Sequence, residues 1–372
     1  MLIRRLDHKS LFAGAIAALV VVAGVWLGSQ RLKHFDPALI WYATGSVLAA
    51  FAVAYRFAVW AQRPPSRLYF KRGLELFFKH HGTSVPRITP HVSRRNALTF
   101  QRVNDFTPAS GGWTAVRAFA TGFVAQNFIR RRSVYRWIMH LCLSGGCTLA
   151  FAITFPLVFG WVHFEPSGDN AEIYRVNLLG FDAGSFGVRG ALAFVVFNLL
   201  NLCAVAVTAG LVMAAIRRCV NAGERAVQTF SGDILPLLLI FFVTSTGLML
   251  TVSYRFMAGR GHSAVAVAHA ASVIALLFYL PFGKLFHLFQ RACGLCVSLY
   301  KAAGATGPQA HCHGCGDGFA SQMHLDDLKE VLDQLGFNYR FATSRGEVHY
   351  QDICPACRRR LLALSQGKTL GR

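Results

Sequence analysis

The segment Ser263-Ala-Val-Ala-Val-Ala-His269-Ala-Ala-Ser-Val-Ile-Ala-Leu-Leu-Phe-Tyr-Leu-Pro-Phe-Gly-Lys284-Leu-Phe-His287 carries no Asp, Glu, Lys or Arg before Lys284. Crossing the hydrocarbon core of a bilayer takes ~20 apolar residues of helix, so an uncharged stretch of this length reads as a membrane span. It belongs to the run Ser263–Phe289, and five more runs share its character: Leu11–Gly28, Ala38–Ala61, Trp137–Val162, Gly190–Ile216 and Ile234–Tyr254. The whole chain agrees, since 54% of its 372 residues are hydrophobic and 15% charged, too apolar for a soluble domain of that size. The expected fold is an all-α polytopic membrane bundle of about six transmembrane helices, followed by a small α+β metal-knuckle domain.

The formal charge of +21 would point to nucleic acid in a soluble protein. Here the basic residues gather in loops between apolar runs, which is a topology signal and leaves nucleic acid out. Segment 62–136 carries Arg63, Arg67, Lys71, Arg72 and many more up to Arg132, against Glu75 and Asp105. The positive-inside rule places it in the cytoplasm. The loop His163–Val188, with Glu165, Asp169, Glu172 and Asp182 against Arg175, then faces outward. Arg217, Arg218 and Arg225 lie inside, the turn Arg255–His262 outside, and Lys284 with Arg291 marks the last return. Both termini are thereby expected in the cytoplasm of a bacterial inner-membrane protein. Arg4, Arg5 and Lys9 before the first run resemble the start of a signal peptide, but no small-residue cleavage site precedes Gln30, so this run is read as a retained helix.

The expected organisation is two N-terminal spans (1–61), a basic cytoplasmic loop (62–136), a four-helix membrane core (137–291), a linker (292–308) and a cytoplasmic domain (309–372). Within the basic loop, Val116–Ile129 is amphipathic enough to lie on anionic lipid or on a partner subunit.

Ligand-type residues inside a span are costly and mark function. No Asp or Glu lies at mid-membrane depth, which argues against a carrier working through buried carboxylates; the exceptions are histidines. His269 and His287 are 18 residues apart, five whole turns, so both project from one face about 27 Å apart. His140 begins its helix at the side where His287 ends its own, so the two can meet at one depth and ligate one iron as a neutral imidazole pair. His269 needs a partner near the other surface: His163 is the first candidate, then His34 or another group. His262 is read as a quinone-site or surface residue.

Leu280-Pro-Phe-Gly-Lys-Leu-Phe-His287, preceded by His269, resembles the last helix of the respiratory nitrate reductase gamma subunit and of heterodisulfide-reductase-type membrane cytochromes b. Arg136-Trp-Ile-Met-His140 with Ser144-Gly-Gly146 is similar to that family's first haem helix. The resemblance covers roughly residues 115–291. It implies b haems held by His140 and His287 and by His269, exchange of electrons with the quinone pool, and cytoplasmic molybdenum or iron–sulfur subunits as partners. Where the family has a second histidine in its first haem helix this chain has Ile153, so the resemblance implies one haem, or two with an unusual ligand.

Cys312-His-Gly-Cys315-Gly and Cys354-Pro-Ala-Cys357 form a C-x-x-C…C-x-x-C set, each pair giving two thiolates from one tight turn to one tetrahedral ion. Zinc is expected, as in a zinc ribbon; iron, as in rubredoxin, is the alternative, disfavoured by the 38 intervening residues. Cys293 and Cys296 read either as small residues near a helix end or as part of a redox relay. Cys142, Cys147, Cys203 and Cys219 read as packing residues. The function expected is a b-type cytochrome subunit that anchors an oxidoreductase. The alternative is a haem-free transporter or scaffold with a zinc-ribbon docking tail.

Overall fold

The computed structural model describes residues 7–79, 119–167, 170–343 and 346–369. Arg87, Arg94, Arg95, Arg102 and Arg117 of the basic segment, and the start of the amphipathic stretch Val116–Ile129, lie outside the described residues. The principal helices are α1 (His8–Gly28), α2 (Ile40–Ala61), α3 (Ser66–Lys79), α4 (Val134–Val158), α5 (Ala191–Val220), α6 (Leu235–Phe256), α7 (His262–Phe282), α8 (Gly294–Thr306), α9 (Gln322–Gln334) and α10 (Pro355–Thr369). The strands are β1 (Val162–Ser167), β2 (Asn170–Leu178), β3 (Phe181–Gly187), β4 (Gln309–His311), β5 (Gly318–Ser321), β6 (Arg340–Thr343) and β7 (Gly346–His349). The helical segments of α1, α2, α4, α5, α6 and α7 are long and apolar enough to cross a membrane, as in a multi-pass membrane protein. The chain divides into two compact units, Met1–Val59 with Ala120–Arg291 and Trp60–Phe119 with Ala292–Arg372.

The first unit is a helical bundle held by close backbone approach. A Cβ on Gly146 of α4 would come within 2.6 Å of Val207 Cγ2, and one on Gly210 of α5 within 2.8 Å of Leu143 Cγ, so each helix offers the other a glycine notch. Val207, Leu211 and Ile240 form the buried centre, with Leu143, Cys147, Leu237, Leu276 and Leu285 packed around them. Gly14 of α1 meets Phe51 of α2, and Gly45 of α2 meets Leu277 and Ile274 of α7. Phe194, Val205, Phe242 and Val267 point outward and exposed, a surface suited to acyl chains. Asp7 and Ser133 cap α1 and α4, each accepting a backbone N–H from the first turn.

The segment after α4, expected as a loop, folds as a three-stranded antiparallel sheet in the order β1-β2-β3. Pro156 and Gly160 (φ +69°) close α4, so His163, expected at the far end of the third span, sits on β1. Leu179 (φ 52°) and Gly180 (φ 89°) make the two-residue turn between β2 and β3, both residues in the left-handed region such hairpins require. Phe164, Tyr174 and Phe186 pack their rings against Phe197 of α5 and fix the sheet to the bundle.

In the second unit, α8 occupies most of the expected linker. It is helical because it has a partner: Leu299 and Tyr300 are buried, and a Cβ on Gly73 of α3 would lie 2.4 Å from Cys296 Cβ. Asp327 of α9, 2% exposed, accepts the Tyr300 hydroxyl at 2.7 Å and the Arg72 guanidinium at 3.1 Å. Its charge is therefore met on two sides. Burial and the bond to Asp327 push the Tyr300 phenol above its ordinary pKa, which keeps it a donor. The rings of Tyr69 and His324 flank Tyr300 at 5.0 and 4.4 Å. Between the two cysteine pairs lie α9 and the antiparallel hairpin of β6 with β7, the α+β content expected of this domain.

Candidate functional site

His140, in the second turn of α4, and His287, just past α7, face each other with ring centroids 6.5 Å apart and planes at 65°. The Ser144 hydroxyl donates to the His140 carbonyl at 2.7 Å, so its oxygen accepts the Gln126 amide N–H, also at 2.7 Å. That turns Gln126 Oε1 to within 2.7 Å of His140 Nδ1. His287 Nδ1 lies 2.5 Å from the Lys284 carbonyl. Both acceptors are carbonyl oxygens, so both Nδ1 atoms carry the proton and each neutral ring keeps its lone pair at Nε2. Two imidazoles on opposite sides of one ion, with metal–nitrogen bonds of ~2.0 Å, would have centroids ~6.3 Å apart. The pair thus has the tautomers and the spacing to share one metal centre. Beside His287 lies a cavity of ≈ 580 Å³ whose walls include Arg56, Tyr279, Lys284, Phe286 and Gln290.

Gln126, whose amide oxygen meets the His140 ring, is a neighbour the sequence did not single out. It is buried, its backbone is left-handed (φ 51°), and it precedes the short helix Asn127–Arg130. The Trp137 indole, donating to the Ala125 carbonyl at 2.7 Å, pins this turn against α4. A polar side chain before a helix, 14 residues from the histidine it orients, leaves no pattern to read.

His269, in the middle of α7, has Thr246 Oγ1 at 3.0 Å from its Nδ1 and Gly247 of α6 against its ring. Thr246 donates its own hydroxyl to the Phe242 carbonyl, so it receives the imidazole N–H. Among the described residues no second imidazole is in ring contact with His269. His163 stands elsewhere, stacked on His34 with centroids 4.3 Å apart and its Nε2 3.4 Å from Glu165. The structure therefore brings His140 to His287 and His163 to His34, and leaves His269 with hydroxyl neighbours.

The four tail cysteines do meet. The Sγ atoms of Cys312, Cys315, Cys354 and Cys357 all lie within 4.8 Å of one another, and Cys315 to Cys354 is 3.8 Å. Metal–sulfur bonds of ~2.3 Å in a tetrahedron place sulfurs ~3.8 Å apart, so this cluster can hold a metal ion. Backbone N–H groups of Gly314 and Cys354 point at Cys312 Sγ, at 3.3 and 3.1 Å, and that of Cys357 points at Cys354 Sγ at 3.4 Å. Burial raises the Cys312 thiol, but the N–H groups of Cys354, Cys315 and Gly314 outweigh it and bring the pKa down to about 6, while Cys315 and Cys357, which share hydrogen bonds within the cluster, are raised. Gly316 at φ +77° lets the first knuckle close. Cys293 and Cys296 differ: burial, then the neighbouring Cys296, pushes the Cys293 thiol up to about 11, and burial raises Cys296. Cys296 packs against Gly73 of α3. No family model, curated protein or solved structure matches the chain.

Proposed function

We propose that the chain is a b-type cytochrome of a bacterial inner membrane, with both termini cytoplasmic. It would exchange electrons between the quinone pool and a cytoplasmic molybdenum or iron–sulfur oxidoreductase that it anchors. The observation that carries this reading is the His140–His287 pair, two imidazoles with Nδ1 anchored on carbonyl oxygens at the spacing of a shared metal. A haem b bound there supplies reversible one-electron transfer. The chain's own part is orientation: Gln126 and the Lys284 carbonyl hold the tautomer that presents Nε2, and the packed helices α4 and α5 keep His140 in place. His269 is the remaining candidate for a second haem. The tail is read as a zinc knuckle: among the described residues Ile353 and Phe319 pack with its cysteines, and two C-x-x-C knuckles in so small a domain are the pattern of a structural ion. A pyridine haemochrome assay on the purified chain tests the reading: haem b at about one or two per chain, with bands that a quinol analogue reduces, is expected. A colourless chain with a full complement of tail metal would return the haem-free scaffold.

A further inference from the structure

At the opposite end of the bundle sequence from the tail, the connection between α1 and α2 is built against its own preferences. Gln30, Arg31 and Leu32 are three successive non-glycine residues in the left-handed region, at φ 53°, 59° and 66°. Residues with a Cβ are disfavoured there, so the surroundings must impose the turn. Two glycines in the same region receive it: a Cβ on Gly160 would lie 2.7 Å from the His34 carbonyl oxygen, and one on Gly180 2.2 Å from Gln30 Nε2. The Trp161 indole donates to the Gly24 carbonyl at 2.8 Å. The result is that His34 is carried onto β1, beside His163 and Glu165.

We infer that His34, His163 and Glu165 bind a divalent transition ion, zinc by the donor set, which clips the α1–α2 connection to the β1–β3 sheet. One ligand atom from each of the three lies within 4.8 Å of the others. His34 Nε2 faces the Gln30 amide oxygen at 3.1 Å and so carries the proton, leaving Nδ1 with a lone pair toward Glu165. His34 Nδ1 and His163 Nε2 are 4.0 and 3.4 Å from the same oxygen, Glu165 Oε1. Those distances are too long for good hydrogen bonds, which run to ~3.2 Å. They suit donors around one ion, since metal–ligand bonds of ~2.0–2.1 Å in a tetrahedron put ligand atoms ~3.4 Å apart. Among the described residues His163 Nδ1 is buried without a hydrogen-bond partner. The rings are within 14° of parallel with centroids 4.3 Å apart, so the two imidazoles lie side by side next to the carboxylate. Two imidazoles and a carboxylate are a zinc set with a fourth position for water. The inference stands apart from the cytochrome reading and shares no residue with His140 or His287.

The test is metal content and zinc X-ray absorption on the full-length chain in detergent. With Cys312→Ser and Cys315→Ser removing the tail site, the chain is expected to retain about one zinc through gel filtration, with nitrogen and oxygen at ~2.0–2.1 Å and no sulfur shell. Adding His163→Ala should remove it, and Glu165→Gln should weaken it about tenfold or more. Zinc absent from the Cys312→Ser/Cys315→Ser chain, or unchanged on adding His34→Ala and His163→Ala, would overturn the inference. If the cysteine variant does not fold, the zinc-loaded wild-type chain decides: mixed sulfur and nitrogen/oxygen shells support the site, and a pure sulfur shell overturns it.

Discussion

The cysteine cluster and the histidine pair place ligands around a point in opposite ways. In the tail, Cys312 with Cys315 and Cys354 with Cys357 come from two short knuckles, and the groups that tune them are backbone N–H donors of the same knuckles. Little apolar surface supports them. In the bundle, His140 and His287 stand on different helices, and their orienting groups come from a third turn and from the carbonyl at Lys284. Gly146 and Gly210 interlock α4 with α5 and so hold the helix that carries His140. A site built from local loops takes its shape from its ion, whereas a site built on packed helices takes it from the scaffold.

That contrast can be broken in either region. Cys354→Ser should cost the tail its metal and with it a folding contribution on the order of 10 kcal/mol, seen as zinc loss and rapid proteolysis within 309–369, while bundle helicity is unchanged. Uniform destabilisation of both units would refute the division. Within the second unit, Asp327→Ala leaves the Tyr300 hydroxyl buried and Arg72 with Glu75 alone as its carboxylate. Its expected cost is about 3 kcal/mol in urea unfolding followed by tail proteolysis, even with the ion bound. In the bundle, Gly146→Ala drives a Cβ against Val207 and the Cys203 carbonyl, and about 2 kcal/mol of thermal stability should go while the tail keeps its metal. The smallest effect should come from Gln126→Ala, which frees His140 to rotate and should weaken cofactor retention about tenfold, or about 1.4 kcal/mol, without changing stability. Equal retention in Gln126→Ala and wild type would remove Gln126 from the account.

The six apolar helices were legible because bilayer thickness forces a long uncharged run into any span, and α7 writes it without a single charge. The cysteine cluster was legible because each knuckle states two ligands in four residues. The His140–His287 meeting followed from the direction of successive spans, whereas the five-turn helix expected from His269 to His287 is interrupted, since α7 ends at Phe282 and the extended Gly283 precedes His287. What stayed hidden depends on segments far apart in the chain. The sheet β1–β3 was masked by charges that drew attention to topology, although Ile173-Tyr-Arg-Val-Asn-Leu178 alternates like a strand, and its turn is Leu179-Gly180 in place of the usual Asn-Gly. His34 and Glu165 are 131 residues apart, and only the left-handed turn at Gln30–Leu32 joins them. α8 passed for a linker because Gly304 and Gly307 suggest flexibility; in the structure Gly304 marks a close approach of His324.

The most direct test of the histidine pair is the reduced-minus-oxidised visible spectrum of the purified wild-type chain beside His140→Ala and His287→Ala, with zinc measured on the same samples. The account predicts a b-type signal in the wild type that falls in both variants while tail zinc is unchanged. A b-type signal equally strong in both variants, or none in a fully zinc-loaded wild type, would contradict it.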